Sequence, residues 1–151
     1  MSENLRAPFP SHRLRTDSDI EAALRPLFES ASDEQLWMLF LTSEGRLRDV
    51  IMPMDELPDD PMAICETSDL GTRPFAEVFT HRAAELAEVL EAAAYIIVLE
   101  RAGGEKFTAA DIRWAGALAD AAAGHRREAG LRALFLLHDG GLRQMAADDY
   151  A

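Results

Sequence analysis

The sequence predicts an α/β (α+β) protein in which a single mixed β-sheet carries helices packed on its faces. Residues 95–99 form a continuous apolar run rich in β-branched side chains, which is typical of a central strand covered on both sides. Helical patterns with one apolar face lie before and after this run. Two further regions, at residues 35–52 and 131–145, each contain two apolar runs separated by a turn signal, which indicates β-hairpins. The predicted order is helix, hairpin, helix, strand, helix, hairpin.

The first helix is predicted to start at Thr16 or Asp17 and to bury one apolar face. Pro26 should end its regular part near Leu24 or Arg25, because proline lacks the N–H that the helical hydrogen-bond ladder needs. The apolar positions follow helical spacing: Ile20, Ala23, Leu24, Leu27 and Phe28.

The first hairpin is predicted at residues 35–42 and 47–52, which are joined by a turn at residues 43–46. The first of these strands is the more apolar and should be the more buried. Residues 53–71 follow with three prolines and six acidic side chains, and we interpret them as an acidic loop over a sheet edge. A short strand at residues 62–65 would pin this loop to the domain.

The second helix is predicted to begin at a Thr72 cap, with Pro74 in its first turn, where a missing N–H matters little. The central strand then leads into a polar, Gly-rich loop at residues 100–106. The third helix runs from Ala109 to about Glu128 and is rich in alanine and glycine. Small residues of this kind permit close approach to a sheet or to another helix.

Length and composition fit one domain over residues 17–146, with flexible tails at residues 1–16 and 147–151. No stretch has the apolar length that a bilayer span needs, and the N-terminus lacks the apolar centre of a secretory signal. The single cysteine, Cys65, excludes an internal disulfide, so we expect a cytoplasmic protein. Fourteen arginines against one lysine, with abundant alanine, indicate a GC-rich bacterial genome.

The net charge of −12 argues against nucleic-acid binding, because such binding depends on neutralising phosphates with lysine and arginine. One basic group lies in the N-terminal residues 6–15, and a second comprises His125, Arg126 and Arg127. We interpret the second group as cations placed against the negative end of a helix, since no aromatic stacking residues accompany it. A nucleic-acid accessory role is therefore disfavoured.

The loop after the central strand is the first place to look for chemistry, because ligands bind beyond the ends of strands in α/β sheets. Thr108 and Asp111 in this region form a helix-capping pattern. None of the four histidines has a partner at metal-ligand spacing, and Cys65 is interpreted as incidental. These patterns predict no catalytic residue, no metal site and no cofactor.

Four stretches carry a resemblance to a known family through their order and spacing. They are LRPLFESASDEQLWMLFLTSEGRL, HRAAELAEVLEAAAYIIVL, FTAADIRWAGAL and LRALFLLHDGGLRQM. From about Leu24 to Met145 the chain resembles the RadC-type JAB/MPN domain, whose overall topology is related to that of cytidine deaminases. The resemblance implies a JAB/MPN-like sheet covered by helices.

Family members with metallo-isopeptidase or related activity bind zinc through a His-x-His-Pro motif after the central strand. This chain departs from the motif, because Leu99 and Arg101 stand at the two histidine positions and Ala102 at the proline position. Leucine offers no donor atom, and arginine is a permanent cation that repels a metal ion. A catalytic zinc typically needs three protein ligands. The resemblance therefore implies a pseudoenzyme.

The acidic part of the family's site is retained. Thr108 and Asp111 match its Ser-x-x-Asp register, and Glu34 falls near the glutamate that activates zinc-bound water in the family. A salt bridge from Arg101 to Glu34 or to Asp111 would fill the space that the metal occupies in active relatives. The expected pocket residues are thus Glu34, Arg101, Thr108 and Asp111.

These features predict a non-catalytic JAB/MPN-like binding or scaffolding domain that works through protein–protein contacts. We expect an unidentified protein partner, with a homodimer as one form of the assembly. The alternative is an enzyme or small-ligand sensor that reuses the pocket around Glu34, Arg101 and Asp111. An open cleft at these residues would favour the alternative, whereas a packed one would favour the binding domain.

A candidate interface is predicted on the third helix. Ile112, Ala115 and Ala119 define one apolar face of this helix, and Trp114 and Leu118 lie off that face, one turn apart. If the first face packs on the sheet, then Trp114 and Leu118 form a patch that a partner covers.

Overall fold

The computed structural model describes residues 12–124 and 128–151, and within these residues it shows a mixed α+β fold of four helices and seven strands. The N-terminal residues 1–11 and the basic group at residues 125–127 lie outside the described residues. No helix in the described part of the chain is long and apolar enough to cross a membrane. The elements in chain order are α1 (Asp17–Leu24), β1 (Gln35–Leu41), β2 (Leu47–Met54), β3 (Ile64–Thr67), β4 (Gly71–Pro74), α2 (Phe75–Val89), β5 (Ala94–Glu100), α3 (Ala109–Ala123), β6 (Gly130–His138), β7 (Gly141–Met145) and α4 (Ala147–Tyr150).

The main sheet has five strands in the order β2-β1-β5-β6-β7. β5 pairs antiparallel with β1 and parallel with β6, which confirms the predicted mixed sheet. The parallel pair follows from the β5–α3–β6 connection, because a parallel partner needs a crossover long enough to hold a helix. Tyr95, Ile96, Ile97 and Val98 are at most 1% exposed, so the apolar run is a central strand covered on both faces, as predicted.

Alternation along β5 divides the core between the two faces of the sheet. Tyr95 and Ile97 belong to the layer that packs under α2 and α3. Ile96 and Val98 belong to the layer that packs under α1. A fully buried aliphatic side chain contributes about 1.5–3 kcal/mol, so this strand is a principal source of stability.

The first helix has the predicted bounds, and the structure adds a cap at its start. The Thr16 hydroxyl accepts a hydrogen bond from the N–H of Asp19, and the Asp19 carboxylate accepts one from the N–H of Thr16. This reciprocal pair is a capping box, which satisfies amides that have no partner inside the helix. α1 ends at Leu24, two residues before Pro26, as the proline predicts.

A second sheet makes the prediction of a single sheet wrong. β3 and β4 pair antiparallel as a separate two-stranded hairpin, in which β3 lies within the stretch that we interpreted as an acidic loop and β4 begins at its last residue. The short strand predicted at residues 62–65 corresponds to β3, which lies at Ile64–Thr67. Its partner escaped prediction because β4, at Gly71–Pro74, combines a glycine with a proline and has no apolar alternation.

The start of α2 also differs from the prediction. Thr72 lies in β4 and does not cap the helix, and Pro74 is the N-cap residue. The N–H of Phe75 donates instead to the carbonyl of Ala63 at 2.8 Å. The carbonyl of Ala63, just before β3, therefore accepts the hydrogen bond that a capping side chain would otherwise accept from the first turn of α2.

α3 buries a face that only partly matches the predicted one, with Ala115 1% exposed as expected. Trp114 is 8% exposed and Leu118 is fully buried, whereas Ile112, which was expected to face the sheet, is 38% exposed. Trp114 packs edge-on against Phe75 of α2, with ring centroids 5.7 Å apart. The buried stripe begins at Asp111, and helical spacing then carries Trp114 and Leu118 inward. The proposed patch of Trp114 and Leu118 is therefore core and is closed to a partner.

Two helix boundaries lie elsewhere than predicted. α3 ends at Ala123 with Gly124 as its C-cap, and does not continue to Glu128. The C-terminal end of the chain, expected as a tail, contains the short helix α4, which contacts α3. Gly116 of α3 lies beside the backbone carbonyl of Tyr150 in α4, and a Cβ there would make an ordinary van der Waals contact at 3.6 Å.

The segment before α1 is docked on the first hairpin. Leu14 is 4% exposed and lies in the core layer under α1. Its N–H donates to the carbonyl of Gly45 in the β1–β2 turn at 2.7 Å. The flexible tail was predicted to extend to residue 16. The chain is instead anchored at Leu14, because the side chain of Leu14 is buried in the core.

We expect Gly45→Ala to destabilise the protein more than Gly71→Ala. Both glycines have positive φ, 83° and 75°, which costs another residue roughly 1–2 kcal/mol. A Cβ at Gly45 would also lie 2.7 Å from the carbonyl oxygen of Leu14, whereas a Cβ at Gly71 meets no atom within 4 Å. Urea unfolding measures both losses of stability. Equal losses would contradict the docking of Leu14 on this turn.

Candidate functional site

The end of β5 carries three consecutive residues that decide what chemistry is available at the edge of the sheet. Leu99 is 6% exposed and packs in the layer under α2 and α3. Glu100 is 2% exposed, and the side chain of Arg101 is 14% exposed. Two charged groups are thus shielded from water, and each needs partners within the protein.

Arg101 uses its whole guanidinium group to hold the loop that follows β5. Its Nε donates to both carboxylate oxygens of Asp111 at 3.1 Å, and Nη2 donates to Asp111 Oδ2 at 2.7 Å. Nη1 donates to the carbonyls of Ala102 and Gly104 at 3.2 and 2.7 Å. Nη2 also donates to the carbonyl of Lys106 at 3.0 Å. A guanidinium has five N–H donors, and these contacts account for all of them.

Asp111 serves both the ion pair and the start of α3. Its carboxylate accepts a hydrogen bond from the N–H of Thr108 at 2.9 Å, and the Thr108 hydroxyl accepts one from the N–H of Asp111 at 3.1 Å. This capping box confirms the predicted helix start. The side chain of Asp111 is only 4% exposed, and the positive end of the helix favours its charge.

The last hairpin holds the same loop from the other side. Arg143 donates from Nη1 to the carbonyl of Glu105 at 2.8 Å, and its guanidinium carbon lies 4.0 Å from the ring centroid of Phe107. The N–H of Asp139 donates to the carbonyl of Gly103 at 3.0 Å. The loop between β5 and α3 is therefore tied to β7 as well as to its own arginine.

The structure brings together three of the four predicted pocket residues. Arg101, Thr108 and Asp111 form one hydrogen-bonded cluster, and the predicted ion pair from Arg101 goes to Asp111. Glu34 is exposed and lies just before β1. The segment around Glu34 contacts a different acid, because the amides of its neighbours bind the Glu100 carboxylate.

Glu100 is the site residue that sequence reasoning missed, since it was assigned to the loop and not to the strand. Its Oε2 accepts hydrogen bonds from the N–H groups of Ser32 and Asp33 at 2.6 and 2.9 Å. Its Oε1 accepts from Gln35 Nε2 at 2.9 Å and from Trp37 Nε1 at 2.8 Å. The only signal in the sequence is an acid that directly follows a fully apolar strand.

The hydrogen bonds to Glu100 outweigh the cost of burying its charge. Burial acts to raise the pKa of the Glu100 carboxyl, but the donors from Ser32, Trp37, Asp33 and Gln35 favour the charged form, and together they lower this pKa below its ordinary value. Glu100 is therefore an ionised carboxylate that ties the entry of β1 to the end of β5. It is not poised to exchange a proton near neutral pH.

The cluster does not fit a zinc ion of the kind that the His-x-His-Pro motif binds in the JAB/MPN family. Leu99 has no donor atom and lies in the core, and the carboxylate of Asp111 is occupied by Arg101. Within residues 12–124 and 128–151, no group of three or more histidine, cysteine or acidic side chains is arranged to hold a metal ion. The residues at this position thus form a structural clamp.

An open groove lies away from this cluster, between the β3–β4 hairpin, α2 and α3. Its volume is about 540 Å³. A second cavity, of about 460 Å³, lies between α3, α4 and the last hairpin and is lined largely by alanines. The first groove combines apolar and charged side chains: Met62, Leu70, Arg73, Ala76, Glu77, His81, Ala117, Asp120 and Ala121, with Gly124. The small residues of α3 were the sequence signal for this groove, but its second wall is β3–β4, which was not predicted.

Comparison with known proteins adds no relative. The chain matches no protein-family model. No curated protein matches it either. The likeness to the JAB/MPN family therefore rests on the residues quoted above, and the function has to be argued from the geometry of the molecule.

We expect Arg101→Met to lower the free energy of unfolding by about 3 kcal/mol, because Asp111 would keep a buried charge without its partner. The matched control is Arg82→Met. Arg82 also binds a carboxylate, that of Asp69 at 2.8 Å, but at the protein surface, where water screens the pair. Chemical denaturation of both variants measures the difference. Similar losses would show that the Arg101 cluster is no more than a surface ion pair.

We expect the stability of the wild-type protein to fall more steeply in acid than that of Glu100→Gln. The folded protein holds the pKa of Glu100 below its ordinary value of 4.5. The ionised Glu100 therefore adds to the free energy of unfolding above that pH, and this stabilisation is lost as the pH falls through the lower pKa of the folded state. Urea midpoints measured between neutral pH and pH values of about 3 give the two profiles. Glu44→Gln, at an exposed turn, is the control, and parallel profiles for wild type and Glu100→Gln would refute this linkage.

Proposed function

We propose that this protein is a non-catalytic, JAB/MPN-like binding domain that acts through contact with another protein. The observation that carries the proposal is the Arg101 cluster, in which a buried ion pair and loop contacts use the whole guanidinium group. Every N–H of that guanidinium is used within the fold, by Asp111 and by loop carbonyls. A group without a free donor has nothing left to offer a substrate.

The alternative, an enzyme or ligand sensor at this position, needs a cleft that reaches its polar groups. Neither the groove of about 540 Å³ nor the cavity of about 460 Å³ is lined by Glu34, Arg101 or Asp111. The Asp111 side chain is 4% exposed, and the loop above it is held from two sides. These features favour the binding domain over a reused active site.

The groove beside β3–β4 is the surface that best suits a protein partner. Ala76 forms part of its floor, and Ala117 and Ala121 of α3 leave room for an incoming side chain. Met62 borders the groove and is 53% exposed, and Ile64 on the adjoining strand is 65% exposed. Exposed methionine and isoleucine are contact residues of the kind that partners cover, and methionine adapts its shape to them.

We expect Ala117→Phe to weaken binding of the natural partner by tenfold or more, because the phenylalanine ring fills the groove. A loss of affinity of this size is roughly that of removing a binding hot spot. The partner is captured by cross-linking in the source cells, purified, and titrated against the wild type and the variant. Ala110→Phe is the control, because Ala110 is exposed in the first turn of the same helix, away from the groove.

Two results would overturn the proposal. The first is unchanged partner affinity in Ala117→Phe with the fold intact. The second is zinc retained in a stoichiometric amount and lost on Asp111→Ala, which would restore the metal-dependent alternative. Sedimentation of the same variants shows whether a second copy of the chain is the partner, since Ala117→Phe would then dissociate the dimer and Ala110→Phe would not.

A further inference from the structure

The charges that line the groove beside β3–β4 are balanced, although the chain as a whole is strongly acidic. Among the described residues of the lining, the bases Arg73 and His81 match the acids Glu77 and Asp120 in number. The whole chain has 27 acidic residues against 15 lysines and arginines, which gives it a net charge of −12. Two copies of such a chain repel each other at long range. The groove is a surface that adds little to this repulsion.

The acids next to the groove are neutralised as well. Arg82 binds the carboxylate of Asp69 at 2.8 Å, and Arg113 lies 3.9 Å from that of Asp60. Both acids lie within two residues of the groove lining in the sequence. The small and apolar side chains of the groove are therefore bordered by charges of both signs. An apolar centre with a polar rim is the usual anatomy of a protein interface.

The same surface combines a recess with side chains of a kind that fills one. Ala76, Ala117 and Ala121 line the recess. Met62, which also lines it, is 53% exposed, and Ile64 of the adjoining strand is 65% exposed. About a twofold axis each copy of a protein presents the same patch to the other, so a patch that holds both the recess and the projecting side chains is complementary to itself.

Arg73 and Glu77 extend this self-complementarity to charge. Their ion pair spans 3.5 Å, and the two side chains are 56% and 42% exposed. An exposed ion pair of this kind is weak, so its members can change partners at little cost. In a twofold contact Arg73 of each copy can face Glu77 of the other, and all four charges stay paired while the apolar side chains are covered.

We propose that the groove beside β3–β4 is a homodimer interface, and that the partner it binds is a second copy of this chain. Met62 and Ile64 of each copy lie in the alanine-lined recess of the other, and Arg73 and Glu77 pair across the axis. A lining with both signs of charge suits a copy of itself better than a partner of one strong charge. The inference rests on the proposed function and deepens it, because it names the protein that occupies the groove.

The test reverses the charges in two halves and uses sedimentation equilibrium of the full chain. Arg73→Glu and Glu77→Arg each place like charges against each other across the axis, and each alone should weaken dimerisation about tenfold or more. An equimolar mixture of the two variants should associate nearly as well as wild type, because every contact across the axis is again between opposite charges. Arg25→Glu and Glu21→Arg are the matched controls, since this exposed ion pair belongs to α1, on the opposite face of the main sheet.

Ile64→Asp tests the apolar half of the interface. The Ile64 side chain is 65% exposed, so the variant should keep the stability of the wild-type monomer in urea unfolding and yet sediment as a monomer. Val89→Asp is the control, because Val89 is 77% exposed at the end of α2 and does not line the groove. This second variant should remain a dimer.

The inference is overturned if the wild type stays monomeric up to about 100 μM, if neither charge reversal weakens the dimer, or if the mixed charge variants associate no better than each one alone. It is also overturned if Ile64→Asp has no more effect than Val89→Asp. A monomeric wild type whose natural partner still binds less tightly to Ala117→Phe overturns this inference and leaves the proposed function standing. Stoichiometric zinc that is lost on Asp111→Ala overturns the proposed function instead.

Discussion

The way the central strand ends governs the rest of the structure. β5 is apolar on both faces, yet its last residue, Glu100, and the next residue, Arg101, carry charge where water is largely excluded. Each charge is balanced by a different part of the chain: the segment before β1 surrounds Glu100, and the start of α3 receives Arg101. A charge left alone in either place would cost several kcal/mol. These two networks therefore position both neighbouring segments against the sheet.

The same constraint commits the side chains at this end of β5 to contacts within the fold. Arginine presents a planar fork of donors that suits a carboxylate and several carbonyls at once, so it ties down a loop better than a histidine does. Once Arg101 binds Asp111 and the loop, its guanidinium has no N–H left for another group. An open groove lies instead between α2, α3 and the small second sheet, whose first strand arises from a stretch that contains three prolines and six acids.

Parts of the candidate site were accessible to prediction and others were not. The cap formed by Thr108 and Asp111 is a local i to i+3 feature and was predicted, whereas the partner of Arg101 was left open between Glu34 and Asp111, and the fold selects Asp111. Glu34 was expected in the cluster and lies outside it, exposed before β1. Glu100 is buried because β5 extends one residue beyond the predicted apolar run, and this shift of the strand end brings an acid into the sheet. Such a shift depends on pairing with β1, which no short stretch of sequence encodes.

The sequence alone determined the central strand, both main hairpins, the start of α1 and the capped start of α3, since these depend on apolar periodicity and on side chains within a turn of one another. Tertiary structure decided the pairing of β3 with β4, the inward direction of Trp114 and the docking of α4. These features depend on partners distant in the chain: α2 supplies the ring against Trp114, and α3 supplies the surface that α4 contacts. Burial against a distant partner outweighs local preference, so local patterns do not reveal it.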